Sequence, residues 1–77
     1  MAEWSHTVLQ DSDGTYRVEI TDEDGAVFPV VRQVTQAQAE RLVQRIAAEA
    51  QESHKPIKTV IRDPYFMAAT VITLKRT

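Results

Sequence analysis

The sequence predicts an α+β domain: a three-stranded antiparallel meander, one amphipathic helix covering one face of the sheet, and one or two further strands, in the order βββαββ. Two Asp-Gly turns in the first third of the chain, strand alternation between them, and a capped helical period beginning at Thr35 carry that expectation.

The turns are Asp11-Ser12-Asp13-Gly14 and Asp22-Glu23-Asp24-Gly25. Each Asp-Gly pair supplies the positive backbone angles that tight hairpins require. Between them Tyr16, Val18 and Ile20 alternate with Arg17 and Glu19, the period of a strand with one buried and one wet face. Trp4 to Leu9 makes a first strand and Val27 to Val31 a third, with Pro29 favouring an edge or a bulge because it lacks an amide donor.

Thr35 opens the helix as N-cap, and Gln38 completes a capping box. Ala39, Leu42, Val43, Ile46, Ala47 and Ala50 follow the helical period through residue 53. His54 and Lys55 suit the negative end of the helix dipole, and Pro56 stops the winding. Ile57 to Arg62 and Thr70 to Lys75 then read as strands, joined by a loop containing Asp63-Pro64-Tyr65-Phe66. The chain of 77 residues is expected to form one domain over residues 1 to 77.

Composition narrows the function. With no cysteine, a disulfide framework, a thiolate metal cage and a cysteine nucleophile are all excluded. His6 and His54 lie in different elements with no third ligand implied by spacing, and Asp11-x-Asp13-Gly14 lacks the glutamate that a calcium loop needs at its twelfth position, where Asp22 stands. The serines lie in no Gly-x-Ser-x-Gly elbow, and Gly14 and Gly25 are both accounted for by hairpins, so no phosphate loop exists. No cofactor, no metal and no enzymatic activity are expected. No apolar run is long enough for a membrane span, and the Met-Ala-Glu-Trp-Ser start lacks signal-peptide character, so a cytoplasmic protein is expected.

Charge is split along the chain. Residues 1 to 25 carry seven acids against Arg17, a net −6, whereas residues 26 to 77 carry eight bases against four acids, a net +4. Such a split can mark complementary patches on a binder.

A helix of about 19 residues spans roughly 28 Å and covers one face of a small sheet but not both. With Tyr16, Val18, Ile20, Phe28, Val30, Ile57, Ile61, Ile72 and Leu74 inward, alternation sends Arg17, Glu19, Val27, Val31, Lys58, Val60, Arg62, Val71, Thr73 and Lys75 outward. The valines and cations of that list make an apolar centre with a charged rim. The candidate interaction residues are therefore Arg17, Val27, Val31, Lys58, Val60, Arg62 and Lys75, together with the loop aromatics Tyr65 and Phe66. Phe66 and Met67 have a second possible role, plugging the end of a small core. On the helix, Arg41, Gln44 and Arg45 form a weaker candidate face, with Arg45 and Glu49 at ion-pair spacing.

The run Tyr16-x-Val18-x-Ile20, Asp-Gly turn, Val27 to Val31, then a helix resembles the sheet-plus-helix arrangement of AP2-type DNA-binding domains over about half the chain. That resemblance implies a sheet laid on a groove, with Arg17, Arg32, Lys58, Arg62, Lys75 and Arg76 available to phosphates. The strand-strand-helix-strand order of residues 15 to 62 is also similar to small phage inhibitor proteins, of host RNA polymerase or of the anti-CRISPR type. No motif carries individual residues across from either group. The phage resemblance implies a compact, non-enzymatic domain that blocks a protein partner, and self-association as a homodimer would use the same surface. Nucleic-acid binding is the alternative.

Overall fold

The structure is a computed structural model that describes residues 3 to 76; the Met1 and Ala2 part of the start and Thr77 lie outside the described residues. Strands β1 (Ser5–Gln10), β2 (Tyr16–Thr21) and β3 (Val27–Val34) form an antiparallel sheet in the order β1-β2-β3. Helices α1 (Gln36–Ser53), α2 (Ile57–Ile61) and α3 (Pro64–Lys75) follow.

Both expected hairpins form. In each turn the aspartate carbonyl accepts from the glycine amide at 3.1 Å, and Gly14 (φ +87°) and Gly25 (φ +85°) occupy the left-handed region. A Cβ at either glycine would meet nothing within 4 Å, so backbone conformation alone selects glycine there. The aspartate side chains complete the loops: Asp13 Oδ1 accepts from the Thr15 amide and hydroxyl, and the buried Asp22 accepts on Oδ1 from the amides of Asp24 and Ala26, both at 2.9 Å.

β3 has eight residues where β2 has six, and the register shifts twice along the pair. The extra residues are absorbed as bulges around Val30–Val31 and Arg32–Gln33, and Gln33 takes a left-handed backbone at φ 59°. Pro29 pairs opposite Glu19 on this edge strand, as its missing donor requires.

α1 starts as its sequence implies. The Gln38 amide donates to Thr35 Oγ1 at 3.1 Å, the Thr35 amide donates to Gln38 Oε1 at 2.9 Å, and His54 closes the other end in the left-handed conformation. Its buried stripe of Ala39, Leu42, Val43 and Ile46 packs with Val18, Ile20 and Val34 of the sheet to form the core.

The chain after Pro56 corrects the βββαββ expectation. Ile57–Ile61 and Pro64–Lys75 are helices, so among the described residues the sheet has three strands and the order is three strands followed by three helices. Two carboxylates account for the change. Asp63, expected in a loop, is the N-cap of α3, accepting on Oδ1 from the amides of Tyr65 (3.0 Å) and Phe66 (3.2 Å), with Pro64 in the first turn. α2 receives no cap from its own Pro56; Glu23, from the β2–β3 turn, accepts from the amides of Ile57 (2.6 Å) and Lys58 (3.3 Å) instead. Ile57, Val60 and Leu74 thereby close the open end of the core, and Phe66, Met67 and Val71 pack against it.

Leu42→Ala and Ile46→Ala are each expected to cost about 2–5 kcal/mol, because both side chains are fully buried between helix and sheet. Thr35→Ala should cost about 0.5–2 kcal/mol by removing the cap. Urea unfolding followed by circular dichroism measures both, and a core truncation no more costly than the cap change would contradict this packing.

Candidate functional site

The register leaves Ser5, Thr7 and Leu9 of β1, Arg17, Glu19 and Thr21 of β2, and Val27 and Pro29 of β3 on the face of the sheet opposite Val18 and Ile20. The surface expected there does not assemble. Arg17 and Val27 do lie on this face, but Arg17 Nη1 is bound to Asp11 Oδ1 at 3.0 Å and Glu19 sits beside it. Val31, expected outward, lies at a bulge and packs partly against the core.

The remaining candidates left the sheet when their segments became helical. Val60, expected outward, is 3 % exposed and belongs to the core. Lys58 Nζ pairs with Asp24 Oδ2 at 2.9 Å, Arg62 lies 5.3 Å over the Phe28 ring, and Lys75 stands exposed in the last turn of α3. Tyr65 and Phe66 separate: Tyr65 is 86 % exposed, whereas Phe66 is half-buried, packs against the core and carries the Arg45 guanidinium 5.3 Å from its ring centroid. Arg45 also reaches Glu49 at 3.7 Å, the ion pair its spacing implies.

α3 has a different character from the other elements. Its inner face, Met67, Thr70, Val71 and Leu74, follows the i, i+3, i+4, i+7 spacing of a core-facing helix, with Leu74 buried and the others half-buried. The opposite face repeats the same spacing with Tyr65, Ala68, Ala69 and Ile72, and all four are exposed, Ile72 at 53 %. Ile72 was expected to point inward. A helix that is apolar all round normally has both faces buried, and here the second face meets water. The β-branched run Thr70 to Thr73 has strand character that masks this stripe in the sequence, although the Asp63-Pro64 pair before it is a helix-start signal.

Two depressions flank these elements. One, between α1 and α3, has a volume of about 520 Å³; Phe66, Leu42 and Leu74 line it together with Arg41 and Arg45. The other is broader, about 1380 Å³, and brings Trp4, His6 and His54 together with Glu23, Asp24 and Lys55. The two histidines of separate elements thus share one surface, with the Trp4 and His6 rings 6.3 Å apart. Two of its carboxylates are engaged, Glu23 by the α2 amides and Asp24 by Lys58. Among the described residues no group of three or more His, Cys, Asp or Glu is placed to hold a metal ion, and no helix is long and apolar enough to cross a membrane.

The hydrogen bond to Asp24, reinforced by that carboxylate's charge, raises the Lys58 ammonium above the ordinary lysine range. At the other hairpin the Thr15 hydroxyl and amide hold Asp13 below the ordinary aspartate range. Comparison with protein-family models, with curated proteins and with solved structures found no match.

Because its folded value is raised, the stabilisation from Lys58 is present below the ordinary lysine value and is lost as pH climbs through the folded value. An NMR titration of Nζ should give a midpoint above that of a free lysine in the wild type and near it in Asp24→Asn. Coincident midpoints in the two proteins would remove the pair as the cause.

Proposed function

We propose that this chain is a non-enzymatic protein-interaction module of the cytoplasm, an inhibitor or adaptor that works by occupying a protein surface with the outward face of α3. The carrying observation is the exposed stripe Tyr65, Ala68, Ala69 and Ile72 on a helix whose other face already closes the core. Exposed apolar side chains are ordinary when scattered, but a contiguous stripe on a rigid helix is the form in which helices dock with partners. Tyrosine supplies a large contact area at low entropic cost, and Tyr65 is held on the first turn by the Asp63 cap.

The sheet face gives less support to the nucleic-acid alternative. Its central cation, Arg17, is neutralised by Asp11, and Glu19 places a carboxylate where phosphates would lie. Arg32 shares the shallow depression above Glu19 and Pro29, but two arginines around a carboxylate make no basic stripe.

The test is position-dependent photocrosslinking in cells, with benzoylphenylalanine at Tyr65, at Ile72, or at Thr7 on the sheet face. Discrete protein adducts are expected from positions 65 and 72 and not from position 7. Adducts from position 7 alone, or none from any position, would overturn the proposal. Tyr65→Ala should change unfolding free energy by no more than about 0.5 kcal/mol, because its side chain is exposed, and should still abolish the adduct formed from position 72.

A further inference from the structure

The cleft between α1 and α3 joins apolar surface to a local excess of positive charge. α1 supplies Arg41 and Arg45 to one wall, and α3 supplies Phe66, Ala69 and Thr73 to the other, spaced i, i+3, i+7 along one edge of that helix. Leu42, with no exposed surface, and Leu74, 5 % exposed, close the floor. No aspartate or glutamate lines the cleft, although the chain as a whole has a net charge of −2.

The two arginines stand one turn apart, about 6 Å along α1. The Arg45 guanidinium is placed by the Phe66 ring, 5.3 Å from its centroid, so a cation sits directly beside the aromatic wall. Its contact with Glu49 is a 3.7 Å pair between partly exposed side chains, a weak interaction. A guanidinium carries five N–H donors in a planar fork, and one long contact leaves donors for a further acceptor.

From this geometry we propose that the cleft is a binding site for a small amphipathic carboxylate. The ligand's carboxylate accepts from Arg45, Arg41 adds its charge one turn away, and the apolar body lies along Phe66, Ala69 and Thr73. The volume of about 520 Å³ falls within the roughly 300–1,000 Å³ of small-molecule sites, which pair an apolar lining with a few convergent polar groups in the same way. The charge selects the head group: guanidinium and carboxylate form paired N–H···O bonds, whereas an ammonium group in the same place would meet two like charges. The site is independent of the docking stripe. Ala69 stands on the edge between them, and Tyr65 and Ile72 lie outside the cleft.

Decanoate, kept below its micelle-forming concentration, is the probe, and decylammonium is the cation of matching length. Each is titrated into the isotope-labelled full chain and followed through the backbone amides by NMR. Saturable shifts are expected with decanoate over residues 41–45 and 66–73, and none with decylammonium. Arg45→Met keeps a long side chain on the Phe66 ring while removing the charge, and should weaken decanoate binding by about tenfold or more. Thr73→Trp places a large ring in the cleft from an exposed position and should abolish binding with both arginines in place. Circular dichroism of both variants should match the wild type.

The comparison of the two probes on the wild type requires no variant to fold. Equal shifts from decanoate and decylammonium, shifts centred on Tyr65 and Ile72, or no saturable shift at all would each overturn the site. Decanoate affinity unchanged in Arg45→Met would overturn the role of its guanidinium and with it the proposal.

Discussion

The contact between the middle strand and the long helix supports everything else in this protein. Val18 and Ile20 on β2 and Ala39, Leu42 and Ile46 on α1 have no exposed surface, and each of the other elements is attached to that sandwich. A chain of 77 residues buries a smaller share of its surface than a larger domain does and has few fully buried side chains, so each of these carries a large share of the stability. Ala39 lets the first turns of α1 lie close to the sheet, and the Thr35–Gln38 box fixes where those turns begin. The bulges of β3 belong to the same constraint, because two added residues bring Val34 to the core opposite Tyr16 just before the helix starts.

The remaining end of the core is closed by a polar device. The β2–β3 turn presents Glu23 to the first amides of α2 and Asp24 to Lys58, while Asp22 braces the turn from within. A short helix with no cap of its own would leave its amides unsatisfied where it meets the domain. The exposed Lys58–Asp24 pair adds little by itself. The carboxylate of Glu23 matters more, because it satisfies two backbone donors at once and aims Ile57 and Val60 into the core. This also accounts for much of the acidic character of the first 25 residues. Asp11, Asp13, Asp22, Glu23 and Asp24 are all engaged within the domain, so the charge split reflects internal capping and pairing more than an external acidic patch.

α3 differs because its apolar content exceeds what the small core can take. Met67, Val71 and Leu74 use the inner face, and Tyr65 and Ile72 remain outside with alanines between them. The proposed docking surface follows from that excess. The uncovered sheet face, by contrast, sets Leu9, Val27 and Pro29 among Ser5, Thr7, Arg17, Glu19 and Thr21, a mixed surface rather than a continuous apolar stripe.

Local residue chemistry was sufficient for the first two thirds of the fold. Asp-Gly favours the positive backbone angles of tight hairpins, the Tyr16–Ile20 alternation has the period of a half-buried strand, and Thr35 with Gln38 carries a capping box; β1, β2, β3 and α1 could all be read from these signals. The last third could not be read from composition, because Ile57-Lys58-Thr59-Val60-Ile61 and Thr70-Val71-Ile72-Thr73-Leu74 are rich in β-branched residues that suit strands. Two helix signals were nonetheless present, the Asp63-Pro64 start and the spacing of Met67, Thr70, Val71 and Leu74. Of the candidate site, Tyr65 was legible as an exposed aromatic, whereas Ala68, Ala69 and Ile72 became visible only when α3 was helical. What only the tertiary structure decided was the cap from Glu23, 34 residues before Ile57, and which face of α3 the core would accept. A distant carboxylate and a limited buried volume leave no trace in local periodicity, and these two quantities turned a strand-like run into helices with one apolar face left exposed.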